Sequence, residues 1–214
     1  MPDLIDEVNE DLRAERAARL ARRFGGLFAA AALLVLAGVG GWQGWNWYQA
    51  RQASVIAEAF LATTRDAAAE GADTRAIATR MAGLAHDAPA GYRVLTRLRA
   101  AALAAEAGDK PAALVLWNQV SADTGADPLY RNLATLMWAT HALEPANAAE
   151  IRTRLTPLAT GPWSASAREI MALAALAGGQ NDEARRALTE LGRDDAAPQG
   201  VRDRAQRLLT GIDG

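Results

Sequence analysis

The chain has 214 residues, half of them hydrophobic, a formal charge of −2 and no cysteine. Missing thiols exclude disulfides, cysteine nucleophiles and thiolate metal sites. Balanced charge excludes an electrostatic nucleic-acid footprint, and an Ala-, Leu- and Arg-rich composition poor in Val, Ile, Thr and aromatics predicts an all-α protein.

Residues 1–23 predict a helical cytoplasmic tail. Acids come first (Asp3, Asp6, Glu7, Glu10, Asp11) and arginines last, an order that complements the helix macrodipole. Leu4, Val8 and Leu12 form a narrow apolar stripe at i, i+4 spacing. That stripe reads equally as a fraying surface or as a docking tail.

Residues 24–48 predict a transmembrane helix. From Phe24 to Ala50 no residue is charged. About 20 helical residues cross a ~30 Å hydrocarbon layer. Trp42, Trp45, Trp47 and Tyr48 crowd its C-terminal end, as an interfacial aromatic belt does. Arg19, Arg22 and Arg23, with Arg13 and Arg16, precede the span, while Arg51 follows it alone. The positive-inside bias therefore predicts a cytoplasmic N-terminus and an external C-terminal domain. A cleaved signal peptide has a shorter apolar core than this run and no such belt, so a retained anchor is the expectation.

Residues 49–214 predict one domain of stacked helix pairs. Gly71, Gly108 and Gly179 each close an Ala-rich helical pattern. Each is followed five residues later by alanine: Ala76, Ala113 and Ala184. Glycine supplies the left-handed end of one helix, and the alanine lets the next pack closely. A large residue then fills the following gap, Trp117 after Ala113 and Leu188 after Ala184. The glycine spacings of 37 and 71 imply a period near 35, with a degenerate unit at Glu144 and Ala149 between. Helix pairs at that period are the tetratricopeptide signature. The expected pairs are 53–69 with 74–86, 91–107 with 110–121, 127–143 with 146–159, and 163–178 with 181–191. Residues 198–210 follow as a capping helix. The fold expected is an α-solenoid of about four pairs plus a cap, joined to one transmembrane helix.

The order of parts resembles the YfgM-like family of ancillary SecYEG translocon subunits. The stretches that carry the resemblance are EVNEDLRAER at 7–16, GWQGWNWYQ at 41–49, RLRAAALAAEAGD at 97–109 and AREIMALAALAGGQNDEARRAL at 167–188. The resemblance covers nearly the whole chain. It implies a bacterial inner-membrane protein with a periplasmic repeat domain, associated with the translocon and with a membrane-anchored periplasmic chaperone. The tail is long and acidic for such a protein, which suggests a subgroup with different cytoplasmic contacts.

No constellation for catalysis emerges, and no enzyme, cofactor, metal or small-molecule substrate is expected. His86 and His141 lack a third ligand at metal spacing. No nucleophile elbow, Walker loop or dinucleotide fingerprint is present. Glu183, Arg185 and Arg186 read as a solvated face, and Asp194 with Asp195 as loop residues. Tyr92, Tyr130, Trp138 and Trp163 are candidate partner-binding aromatics, or else core plugs. The expected function is a membrane-anchored scaffold assisting exported proteins. The competing readings are a periplasmic regulator or scaffold of cell-wall synthesis or division, and a protein that oligomerises through Gly40 and Gly44.

Overall fold

A computed structural model describes the backbone of residues 3–213 and the side chains of residues 26–212. Among the described residues every regular element is helical. α1 spans Asp3–Ala67, α2 Thr74–Asp87, α3 Ala90–Glu106, α4 Lys110–Ser121 and α5 Pro128–His141. α6 (Ala148–Leu155) lies between two 3-10 turns, followed by α7 (Ser164–Ala177), α8 (Asn181–Gly192) and α9 (Gln199–Asp213). The chain divides between Arg51 and Gln52 into two compact units.

The first unit holds the apolar stretch. Gly26–Ala67 contains an 18-residue window of mean hydropathy 1.6, and none of that window is buried. Trp42, Trp45, Trp47 and Tyr48 all stand exposed. Trp45 and Tyr48 lie with ring centroids 6.4 Å apart, and the Arg51 guanidinium sits 5.5 Å from the Trp47 ring. Arg19, Arg22 and Arg23 lie outside the described side chains.

In the second unit the helices are bounded by local chemistry. Asp73, Asp109 and Asp127 accept from the backbone N–H groups of Ala76, Ala112 and Leu129, at 3.0, 3.2 and 2.7 Å. Each satisfies a donor that the first turn leaves free. Pro111 and Pro128 sit where a missing N–H is harmless. α3 ends at Gly108, whose φ is +73°, and the Asp109 N–H reaches back to the Ala104 carbonyl at 2.8 Å. The same closure recurs 71 residues on: Gly179 has φ +76° and the Gln180 N–H reaches the Ala175 carbonyl at 2.8 Å. That is the six-to-one bond of a Schellman cap.

The expected register needs correction at two places. Ala76 is exposed, and Ile77 and Ala78 enter the core instead. Gly108 is followed directly by the cap Asp109, whereas Ala72 stands between Gly71 and the cap Asp73. The extra residue displaces α2 by one position. In the third pair Ala149 is exposed and Ala148 is buried. No left-handed glycine ends α5. Pro145 opens a 3-10 turn, α6 runs eight residues, and Pro157 lies in the 3-10 turn that follows it. Gly161, absent from the expected turns, has φ +85° just before α7.

The core forms two clusters, a larger one from α2 to α7 and a smaller one where α7, α8 and α9 meet. Trp117, Met81, Leu103, Ile151, Leu155 and Leu188 are its largest fully enclosed side chains. Ala113 and Ala184 are fully buried at close contacts of the second helices. The last cluster, with Leu188, Leu191, Val201 and Ala205, docks α9 onto α7 and α8. Burial of this kind contributes about 25 cal/mol per Å² of apolar surface.

Candidate functional site

In the second unit the first helices of successive pairs, α3, α5, α7 and α9, pack in order against one another. Polar ties hold the stack at one end. Arg97 on α3 bonds Asp123 at 3.4 Å in the loop before α5. Arg168 on α7 bonds Asp194 in the loop before α9. Both arginines and both aspartates are 71 residues apart. Each aspartate also accepts from the N–H two residues on, Gly125 or Ala196, at 3.0 Å. The Arg168 hydrogen bond, ahead of those from the Ala196 and Ala197 N–H groups, holds the Asp194 carboxyl below its ordinary range. Asp194 is thus a staple of the repeat rather than a plain loop residue. The matched 71-residue spacings were the signal for it.

A groove of about 430 Å³ lies between α5, α7 and α9. Leu133, Met137, Ile170 and Leu173 give it an apolar lining, and Trp163 and Arg204 border it. The buried Glu169 carboxylate receives Nε and Nη2 of Arg204 at 2.6 and 2.7 Å, a fork that ties α9 to α7. Its hydrogen bonds raise the Arg204 pKa above its ordinary value. A second groove, of about 410 Å³, lies between α2 and α4 around Ala82, Val115 and Leu116. Later seams between second helices are bridged, by Lys110 with Glu144 and by Arg152 with Gln180 and Glu183. Glu183 therefore serves a seam, while Arg185 and Arg186 are exposed.

The four candidate aromatics separate. Trp138 is 8% exposed and covered by the Arg154 guanidinium, 3.9 Å from its ring centroid. It belongs to the core and is withdrawn from the partner-binding set. Trp163 is half-buried, with its Nε1 shielded and unpaired. Tyr92 is half-buried in the first turn of α3, and Tyr130 is 37% exposed in the first turn of α5. Leu95 and Leu129 stand exposed beside them in sequence. Exposure along α3 and α5 could not be read from a helical pattern whose apolar residues do not fall on one clean stripe.

The histidines hold no chemistry together. His86 is exposed and 3.0 Å from Asp87. His141 stacks on Trp117 with centroids 4.5 Å apart. Burial, then the nearby Lys110 charge, lower its pKa. Among the described residues no three His, Cys, Asp or Glu side chains gather as a metal site would require.

Equivalent glycine caps and staples thus recur in the second and fourth helix pairs, 71 residues apart. A family model described as a tetratricopeptide repeat-like domain matches residues 21–206. This chain belongs to the tetratricopeptide repeat-like family. No curated protein and no solved structure matches it. In a tetratricopeptide repeat-like stack each pair buries its core only against its neighbours, which leaves the long face of the first helices open to partners. Leu95 on α3 and Leu129 and Tyr130 on α5 are exposed large side chains of the first helices, and Val115 is one on the second helix α4.

Proposed function

We propose that this chain is a membrane-tethered scaffold that binds other proteins through the first-helix face of its repeat stack. One observation carries the reading. A repeat domain whose first helices hold exposed leucines and a tyrosine shares the chain with an apolar helical stretch that is not buried. Large apolar and aromatic groups held on a rigid face are the usual anchors of protein interfaces. The unburied stretch supports an anchor in lipid, and the tryptophans at its end support an interfacial belt. The arginines before it support a cytoplasmic N-terminus and a periplasmic repeat domain.

The resemblance to YfgM-like proteins narrows the partners to the SecYEG translocon and a membrane-anchored periplasmic chaperone. In that reading the domain meets exported chains as they emerge, and it performs no catalysis. Purification of the intact protein in mild detergent tests it. Translocon subunits should copurify in amounts comparable to the chain. Recovery of cell-wall or division proteins in their place would move the scaffold to that machinery. Recovery of copies of the chain alone would replace the scaffold with an oligomer.

A further inference from the structure

The first turns of α3 and α5 carry the same short sequence. α3 has Tyr92-Arg93-Val94-Leu95, and α5 has Tyr130-Arg131-Asn132-Leu133. In each helix tyrosine is the third residue and arginine the fourth. The two helices are packed neighbours, so the two turns recur side by side on one stack. Tyr130, Leu129 and Leu95 are exposed around them.

The two arginines differ from the arginines near the starts of α7 and α9, and from Arg97 further along α3. Arg202, fourth in α9, donates to the Ala197 carbonyl at 2.7 Å. Arg97 and Arg168 are held by Asp123 and Asp194. Arg93 and Arg131 have no ion-pair or side-chain hydrogen-bond partner among the described residues. Their side chains are half-buried, and each has an Nε shielded from solvent without an acceptor. Arg168 Nε is shielded and unpaired in the same way, so what sets Arg93 and Arg131 apart is the missing carboxylate. Of the four arginines on α3 and α5, Arg97 pairs with Asp123 and Arg99 with Glu106, which leaves Arg93 and Arg131 as the cations without a carboxylate among the described residues.

We propose that the paired Tyr-Arg turns of α3 and α5 dock an acidic segment of a partner protein that carries apolar side chains among its carboxylates. This deepens the scaffold reading and rests on it. The carboxylates satisfy Arg93 and Arg131 as a planar fork does best. The apolar side chains cover Leu95, Leu129 and the Tyr130 ring. Two equivalent turns give two points of attachment, so an acidic segment long enough to reach both gains over one that meets a single turn.

The test uses the full-length chain in nanodiscs and a labelled synthetic peptide of alternating leucine and paired glutamates. A twin peptide carries glutamine at every glutamate. The acidic peptide should bind, and the glutamine twin should bind at least about tenfold more weakly. Arg93→Gln with Arg131→Gln should weaken the acidic peptide by about tenfold or more, and Arg207→Gln on α9 should not. Arg93→Glu with Arg131→Glu should reverse the preference toward a lysine version of the peptide, which a merely misfolded variant would not do. Equal binding of the acidic and glutamine peptides, or no effect of either double substitution, overturns the proposal. Displacement of the peptide by phosphatidylglycerol vesicles and not by phosphatidylcholine also overturns it, by assigning the turns to lipid headgroups. If the peptide fails while translocon subunits still copurify, this docking surface falls and the scaffold reading stands.

Discussion

The alanines at the helix contacts set the tightest limits on single residues. Ala113 and Ala184 are fully buried between helices. Replacing either by Trp forces a large side chain into a close contact, and should lower stability by ~1–3 kcal/mol or more. Thermal melts of each variant check this, and an unchanged melting temperature for both would contradict the packing. Ala76→Trp is the internal comparison, because Ala76 is exposed and should tolerate the change. The left-handed glycines give a different kind of limit. A Cβ at Gly108 or Gly179 would meet no atom, so Gly→Ala there should cost about 1–2 kcal/mol through backbone strain alone. At Gly178 a Cβ would lie 3.2 Å from the Ala148 Cβ, and the penalty is steric.

His141 makes a pH prediction at the same scale. Its folded pKa lies below the ordinary 6.5 because burial and Lys110 disfavour the imidazolium. Folding therefore prefers the neutral ring. As pH falls below about 6.5 the unfolded chain takes up the proton first, and stability is lost until the folded pKa is passed. His141→Phe should keep a ring against Trp117 and flatten the slope. Melting temperatures between about pH 5 and 7.5 will show whether the variant loses less on acidification than the parent does. An identical slope would mean that His141 does not titrate as its surroundings require.

At the scale of elements, α9 hangs on one fork. Glu169 has a side chain only 9% exposed, while that of Arg204 is 50% exposed. Removing the arginine leaves a nearly buried carboxylate without its cation, whereas water already screens part of the pair. Arg204→Ala should therefore loosen the last helix without unfolding the stack. Hydrogen exchange across residues 199–213 should accelerate while α3 and α4 keep their protection. Uniform acceleration through all the helices would show that α9 is no separate cap.

Element order was legible because the signals were strong and local. The glycines at 71, 108 and 179 and the alanines that follow them marked where one helix ends and the next begins. The third pair was less legible. Its turn replaces glycine by Pro145 and a 3-10 segment, so the repeat could be counted but not phased. The staples Arg97–Asp123 and Arg168–Asp194 carry their information in spacing across loops, where helical periodicity does not look. The candidate site was half legible. Aromatic type marked Tyr92, Tyr130, Trp138 and Trp163, but type does not say which side of a helix faces a neighbour. Trp138 went inward under Arg154, and Tyr130 stayed outside. The arginines beside the tyrosines repeat as Tyr-Arg-x-Leu at 92–95 and 130–133, but their lack of a partner among the described residues shows only in the structure.

At the scale of the whole molecule, the proposed anchor would confine the repeat domain to the neighbourhood of the membrane. The account therefore expects the anchor to be retained, with Trp42, Trp45, Trp47 and Tyr48 at the outer interface. Periplasm-active reporters fused after Gly214 should be active, and Arg19, Arg22 and Arg23 changed together to Glu should weaken or scramble that orientation. A mature chain beginning near Gly41 would remove the anchor.

The central claim is that a tethered first-helix face meets proteins at the membrane. A photocrosslinker at Leu95 in living cells, with mass identification of the adducts, tests this most directly, compared between the intact chain and one lacking the apolar stretch but exported. The account predicts adducts with translocon subunits or newly exported chains from the tethered protein, lost or sharply reduced in the soluble one. Equal capture of the same partners by both forms, with full rescue of the deletion phenotype by the soluble form, would contradict it.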